Sequence, residues 1–113
     1  MSQITTHILD TSLGKPAANV PVQLEQKTKN GTWKIITQSI TNGDGRVSDL
    51  LEKNTVLAFG IYKMVFDTEG YFKSQNIQGF YPTVEIQFYV HDNTHYHVPL
   101  LLNPFGYSTY RGS

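Results

Sequence analysis

The stretch Val20-Pro21-Val22-Gln23-Leu24-Glu25-Gln26-Lys27-Thr28-Lys29-Asn30-Gly31-Thr32-Trp33-Lys34-Ile35-Ile36-Thr37-Gln38-Ser39-Ile40 carries a complete strand–turn–strand signal. Val20, Val22 and Leu24 alternate with Pro21, Gln23 and Glu25. A period of two sends apolar groups to one face of a strand and polar groups to the other. The alternation predicts a half-buried strand over 20–28. Asn30-Gly31 is a strong hairpin turn, because both residues tolerate the left-handed backbone such turns require. Trp33 to Ile40 then returns beside the first run.

The same pattern extends outward in both directions. Ile4 to Leu9 is a first strand. Asn42-Gly43-Asp44-Gly45 is another turn, with a short strand starting at Arg46. Tyr62, Met64 and Phe66 alternate with Ile61, Lys63 and Val65; Val84, Ile86, Phe88 and Val90 alternate with Glu85, Gln87 and Tyr89. From His95 onward two more strands are joined by Pro104-Phe105-Gly106. The one helical candidate, about Glu69 to Asn76, is too short and polar to dominate. Eight strands at this spacing in 113 residues predict an all-β protein, a sandwich of two sheets in one domain over 1–113.

Composition narrows the function classes. Lys+Arg 9 balances Asp+Glu 9, and only 16% of residues are charged. A neutral, charge-poor surface argues against nucleic acid or an anionic membrane as partner. The longest apolar run is Leu100-Leu101-Leu102, far short of a membrane span. The absence of cysteine excludes disulfides and thiolate metal sites. Met1-Ser2-Gln3-Ile4 shows no secretory leader, and Arg-Gly-Ser is not the usual peroxisomal address. The plain expectation is a cytoplasmic protein, with a peroxisomal location as the alternative.

Candidate chemistry gathers in the last nineteen residues, His95 to Ser113. Strand parity sets Val98, Leu100 and Leu102 on one face, and His95, His97 and Leu101 on the other. The first face reads as core. His7 in Thr6-His7-Ile8 likewise points opposite to Ile8. Alone, each histidine is most simply a surface or interface residue. The spacing H-x3-H-x-H over His91, His95 and His97 raises a metal pair, but a closed site needs further ligands and cysteine is absent. Arg46 is either a solvated turn residue or a guanidinium held at a strand start, able to clamp a carbonyl or anionic ring. Tyr110-Arg111-Gly112-Ser113 is either a loose end or a dense group of hydrogen-bonding side chains. Motifs of serine hydrolases, phosphate loops and zinc proteases are missing.

Taken together these residues resemble the 5-hydroxyisourate hydrolases of the transthyretin superfamily, along essentially the whole chain. The resemblance rests on Thr6-His7-Ile8-Leu9-Asp10, Gly14-Lys15-Pro16-Ala17, Gly45-Arg46, Gly60-Ile61-Tyr62-Lys63 and Phe80-Tyr81-Pro82. It rests above all on His95 to Ser113 with its terminal Tyr-Arg-Gly-Ser, the feature that separates the hydrolases from hormone-carrying transthyretins. Asn103, where Ser is expected, is a minor departure.

The resemblance implies a transthyretin-like sandwich of two four-stranded antiparallel sheets with one short helix. It implies a homotetramer, two dimers face to face, with sites in the channel between them. It carries catalysis to His7, Arg46, His97 and Ser113, and substrate binding to His7, Arg46, Tyr110 and Arg111. The implied reaction opens a cyclic amide of 5-hydroxyisourate without cofactor or metal. A neutral His7 or His97 would take a proton from the attacking water. Attack by water is preferred over a covalent Ser113 intermediate, since Ser113 lacks an evident triad. The alternatives are a non-enzymatic carrier of small aromatic ligands or hormones in the same channel, and a purely structural module.

Overall fold

The computed structural model describes residues 2–113. The elements, in chain order, are β1 (Ile4–Asp10), β2 (Lys15–Pro16), β3 (Pro21–Lys27), β4 (Trp33–Ile40), β5 (Arg46–Val47), β6 (Gly60–Asp67), α1 (Thr68–Lys73), β7 (Thr83–Val90), β8 (Tyr96–Asn103) and β9 (Gly106–Thr109). They form the expected sandwich. One sheet has the order β4-β3-β6-β7. The other has five strands, β2-β1-β8-β9 with β5 also on β1. β2 and β5 divide one edge of β1 between them, pairing at Leu9–Asp10 and Thr6–His7 respectively.

Two details depart from the expected pair of four-stranded antiparallel sheets. The dipeptide strand β2 adds a fifth strand to one sheet. It is too short to show an alternation in sequence. More important for the site, β1 and β8 run parallel, from Ile4 opposite Tyr96 to Asp10 opposite Leu102. Alternation specifies which face a residue takes, and not the direction of its neighbour. No hairpin links these two strands, so no turn fixes their sense.

The period-two pattern decides the core. Ile4, Ile8, Leu100 and Leu102 from one sheet meet Val22, Leu24, Met64, Phe66 and Val84 from the other, all buried. The helix is shorter than expected, ending at Lys73, and anchors through buried Phe72. The chain then turns at Asn76, which takes a positive φ of 57°.

Hydrogen bonds lock the ends of β1. Asp10, buried, accepts from the Ser12 hydroxyl at 2.6 Å, the Ser12 and Leu13 backbone N–H groups, and the Tyr71 hydroxyl at 2.7 Å. Burial pushes its carboxyl up, but these four bonds outweigh that and hold it below the ordinary value. At the other end, Ser2 Oγ donates to the Ile4 carbonyl and accepts from the Leu51 N–H. Asn103 Oδ1 accepts from the Phe105 N–H at 2.9 Å, so this departure from the expected Ser caps the β8–β9 turn.

Candidate active site

Odd-numbered residues of β1 and β8 point away from the core. Parallel pairing puts Thr5 directly opposite His97, and His7 directly opposite Pro99. His7 is therefore one diagonal step from His97 on the same outer face.

Arg46 reaches that face through its turn. Asn42 Oδ1 accepts from the N–H groups of Asp44 at 2.9 Å and Arg46 at 3.0 Å. Gly45 follows with φ of 72°, and its carbonyl accepts from the Ile8 N–H at 2.8 Å. A Cβ on Gly45 would sit 2.5 Å from the Ile8 carbonyl oxygen, so only glycine lets the turn approach β1 this closely. The next residue lands opposite His7 in register.

The chain's last residues return to the same place. The Gly112 N–H donates to the His97 carbonyl at 2.9 Å in a bridge just past β9. Arg111 holds this return from the opposite side. Its guanidinium lies 4.4 Å from the Tyr96 ring centroid and donates to Thr94 Oγ1 at 3.3 Å.

Thr5, Thr6, Arg46, Ser48, His95, His97 and Ser113 line one cavity of about 160 Å³. Three of the expected catalytic residues, Arg46, His97 and Ser113, thus meet in it, with His7 beside them. Tyr110 and Arg111 line a second cavity, between β7 and the β8–β9 region, with Phe88, Tyr96 and Val98, and His97 borders both cavities. Thr5 and Ser48 were not singled out in the sequence. For Thr5 the signal was available: the parity that turns His7 outward turns Thr5 outward too.

Electrostatics favour neutral histidines. Burial lowers the His7 pKa from 6.5, and the Arg46 charge lowers it further. Burial lowers that of His97 as well, with His95, His7 and Arg46 adding to the shift. Both rings are therefore bare bases near neutral pH, and the guanidinium beside them is a fixed positive charge. His97 Nδ1 is engaged by Thr5 Oγ1 at 2.8 Å, so Nε2 is the nitrogen left for substrate or water. Among the described residues, no three His, Asp or Glu side chains are gathered as a bound metal would require. This set of groups can abstract a proton, stabilise an oxyanion and donate hydrogen bonds.

The chain is similar to known proteins along nearly its whole length. The model of the HIUase/Transthyretin family matches residues 4–112. A 5-hydroxyisourate hydrolase of Salmonella typhimurium is 45% identical over 111 residues, covering 97% of this chain and 80% of the relative. The solved structure of Klebsiella pneumoniae 5-hydroxyisourate hydrolase has a TM-score of 0.85 and 33% identity, covering 97% of this chain and 98% of the other. Sea bream transthyretin, solved in complex with thyroxine, has a TM-score of 0.91 and 32% identity, covering 98% of this chain and 95% of the other.

Proposed function

The chain belongs to the HIUase/Transthyretin family, and from that premise we propose that it hydrolyses 5-hydroxyisourate to 2-oxo-4-hydroxy-4-carboxy-5-ureidoimidazoline, a step of urate degradation. The observation that carries this reading is the meeting of Arg46, His97 and Ser113 in one cavity, with His7 paired to Arg46. An apolar-ligand carrier in this place would be served by apolar walls. This cavity is lined instead by threonine, serine, histidine and arginine.

The chemistry follows from the groups. Water attacks a ring carbonyl, a C–O bond forms, and the carbonyl oxygen gathers negative charge. His97 Nε2 accepts the water proton, with His7 as the second basic ring. Arg46 stabilises the developing oxyanion through its planar fork. The ring C–N bond then breaks, and the proton held on Nε2 passes to the departing nitrogen. Ser113 orients substrate or water by hydrogen bonding, and Tyr110 and Arg111 contribute to binding from the adjoining cavity.

The active form on this reading is a homotetramer with sites between dimers. The cavity in one chain, about 160 Å³, is well below the ~300–1,000 Å³ of typical ligand pockets. A second copy facing the β1–β8 sheet would close it and supply further walls.

The test is ring-opening of freshly generated 5-hydroxyisourate, followed by absorbance, with His97→Asn as control. Catalysed decay by the native chain, reduced about 10²–10⁴-fold in the variant at unchanged oligomer size, is expected. Catalysed decay that is equal in both would remove His97 from the mechanism. No catalysed decay by the native tetramer would end the hydrolase reading.

A further inference from the structure

His95 is the one residue of the terminal histidine pair to which the mechanism assigns no role. Its Nε2 lies 2.8 Å from Thr5 Oγ1. The same oxygen lies 2.8 Å from His97 Nδ1. The two rings are nearly parallel, at 25° and 6.3 Å between centroids. Thr5 is buried, with 5% of its surface exposed, and β pairing fixes it directly opposite His97.

A threonine hydroxyl has one proton and two lone pairs. It cannot donate to both rings, and accepting from both would leave its own buried O–H without an acceptor, so the arrangements that satisfy every group donate one contact and accept the other. In the first arrangement Thr5 donates to a bare His95 Nε2 and accepts from His97 Nδ1–H. His97 then carries its only proton on Nδ1, and its Nε2 is bare. In the second, His95 Nε2–H donates to Thr5, which donates to His97 Nδ1. His97 then carries its proton on Nε2 and is no base at that atom. Of these two, only the first serves the hydrolysis described above.

We infer that Thr5 and His95 are positioning residues that hold His97 as the Nδ1–H tautomer, with a bare Nε2 toward the cavity. The inference rests on the hydrolase reading for its catalytic meaning, but not for its structural content. The Nδ1–H bond to Thr5 is already in place when Nε2 takes the water proton. The imidazolium therefore forms without reorientation of either partner. The proton leaves again from Nε2, so the Thr5–His95 arrangement is the same before and after turnover.

The experiment has two readouts. Long-range ¹H–¹⁵N spectra of histidine-labelled protein report the His97 tautomer at neutral pH without substrate. Steady-state kinetics on 5-hydroxyisourate report its consequence. The native chain and Thr5→Ser should show the Nδ1–H form and similar kcat. Thr5→Val and His95→Phe should lose that preference, with kcat lower by about tenfold, the worth of one hydrogen bond, and KM little changed. A native His97 in the Nε2–H form would overturn the inference. So would Thr5→Val or His95→Phe with native tautomer and kcat. If Thr5→Val does not fold, the native spectrum and His95→Phe still decide. If the native chain opens no 5-hydroxyisourate, the hydrolase reading fails while the spectra still judge the tautomer.

Discussion

A Cβ built on Gly112 would lie 2.5 Å from Cδ2 of the His97 ring and 3.2 Å from its Cβ. Gly112 is held there by its N–H bond to the His97 carbonyl. The returning chain thus packs flat on the histidine, and only a residue without a side chain permits it. The glycine therefore serves both the ring and the terminus that it aligns.

Gly112→Ala should accordingly disturb His97 and Ser113 together. Either the ring leaves its bond with Thr5 or the terminal bridge opens. We expect kcat/KM for 5-hydroxyisourate to fall at least tenfold, with the thermal midpoint shifted little, since the bridge lies outside the core. A variant with native kcat/KM would show that the close approach is dispensable.

The acid limb of the pH–rate profile should be displaced downward. On the proposed mechanism neutral His97 is the active form, and burial together with neighbouring charge lowers its pKa below 6.5. Activity is therefore full above 6.5 and is lost as pH falls through the depressed value. Removing the charge in Arg46→Gln should move the residual activity's limb toward 6.5, because Arg46 contributes to the shifts of both His7 and His97. A native limb centred above 6.5 would contradict the assignment.

Arg46→Lys should be nearly as damaging as Arg46→Ala. Lysine keeps the charge but not the planar two-point geometry. Restoration of most activity by lysine, measured as kcat/KM, would mean that charge alone suffices.

Tyr71→Phe should cost stability rather than catalysis. It leaves one oxygen of the buried Asp10 carboxylate without its 2.7 Å partner. The expected loss is about 1–3 kcal/mol in urea unfolding. Asp10's folded pKa lies below 3.8, so its contribution is present above 3.8 and disappears as pH falls through the folded value. The Tyr71 phenol, pushed up to about 12 by burial and then by Asp10, remains a donor throughout the neutral range. Equal unfolding midpoints for native and variant proteins would reduce this bond to a spectator.

Period-two alternation made β1, β3, β6, β7 and β8 legible because each has one buried face. Val22 and Leu24, or Leu100 and Leu102, announce that face without help from the rest of the chain. His7 and His97 could be turned outward by the same parity. The parallel sense of β1 and β8 could not be read, since nothing local encodes it. Pairing of Thr5 with His97 depends on that sense and its register, which is why Thr5 was invisible as a partner. Arg46 was legible as a candidate but not as a fixed one. Its position comes from the local bond to Asn42 Oδ1 and from the close contact of Gly45 with Ile8, and the second is not visible until the turn meets β1. The placing of Tyr110 and Arg111 in a second cavity, which His97 shares, was hidden for a similar reason. The terminal segment meets β8 through the bridge of Gly112 to His97, which no local pattern encodes.

The parallel seam between β1 and β8 joins distant parts of the chain, and this suggests a division of the molecule. Glu52 to Thr55 is an exposed turn closed by the Thr55 N–H to Glu52 carbonyl bond. A cut between Lys53 and Asn54 would leave Thr5, His7, Arg46 and Ser48 on one fragment, and His95, His97 and Ser113 on the other. The β1–β8 and β3–β6 pairings both cross that cut. Each half alone would have unpaired edges and an incomplete set of reacting groups. Reassociation would rebuild both sheets and the proposed catalytic cavity in one event, so the two halves should act as a split reporter whose signal is silent until they meet.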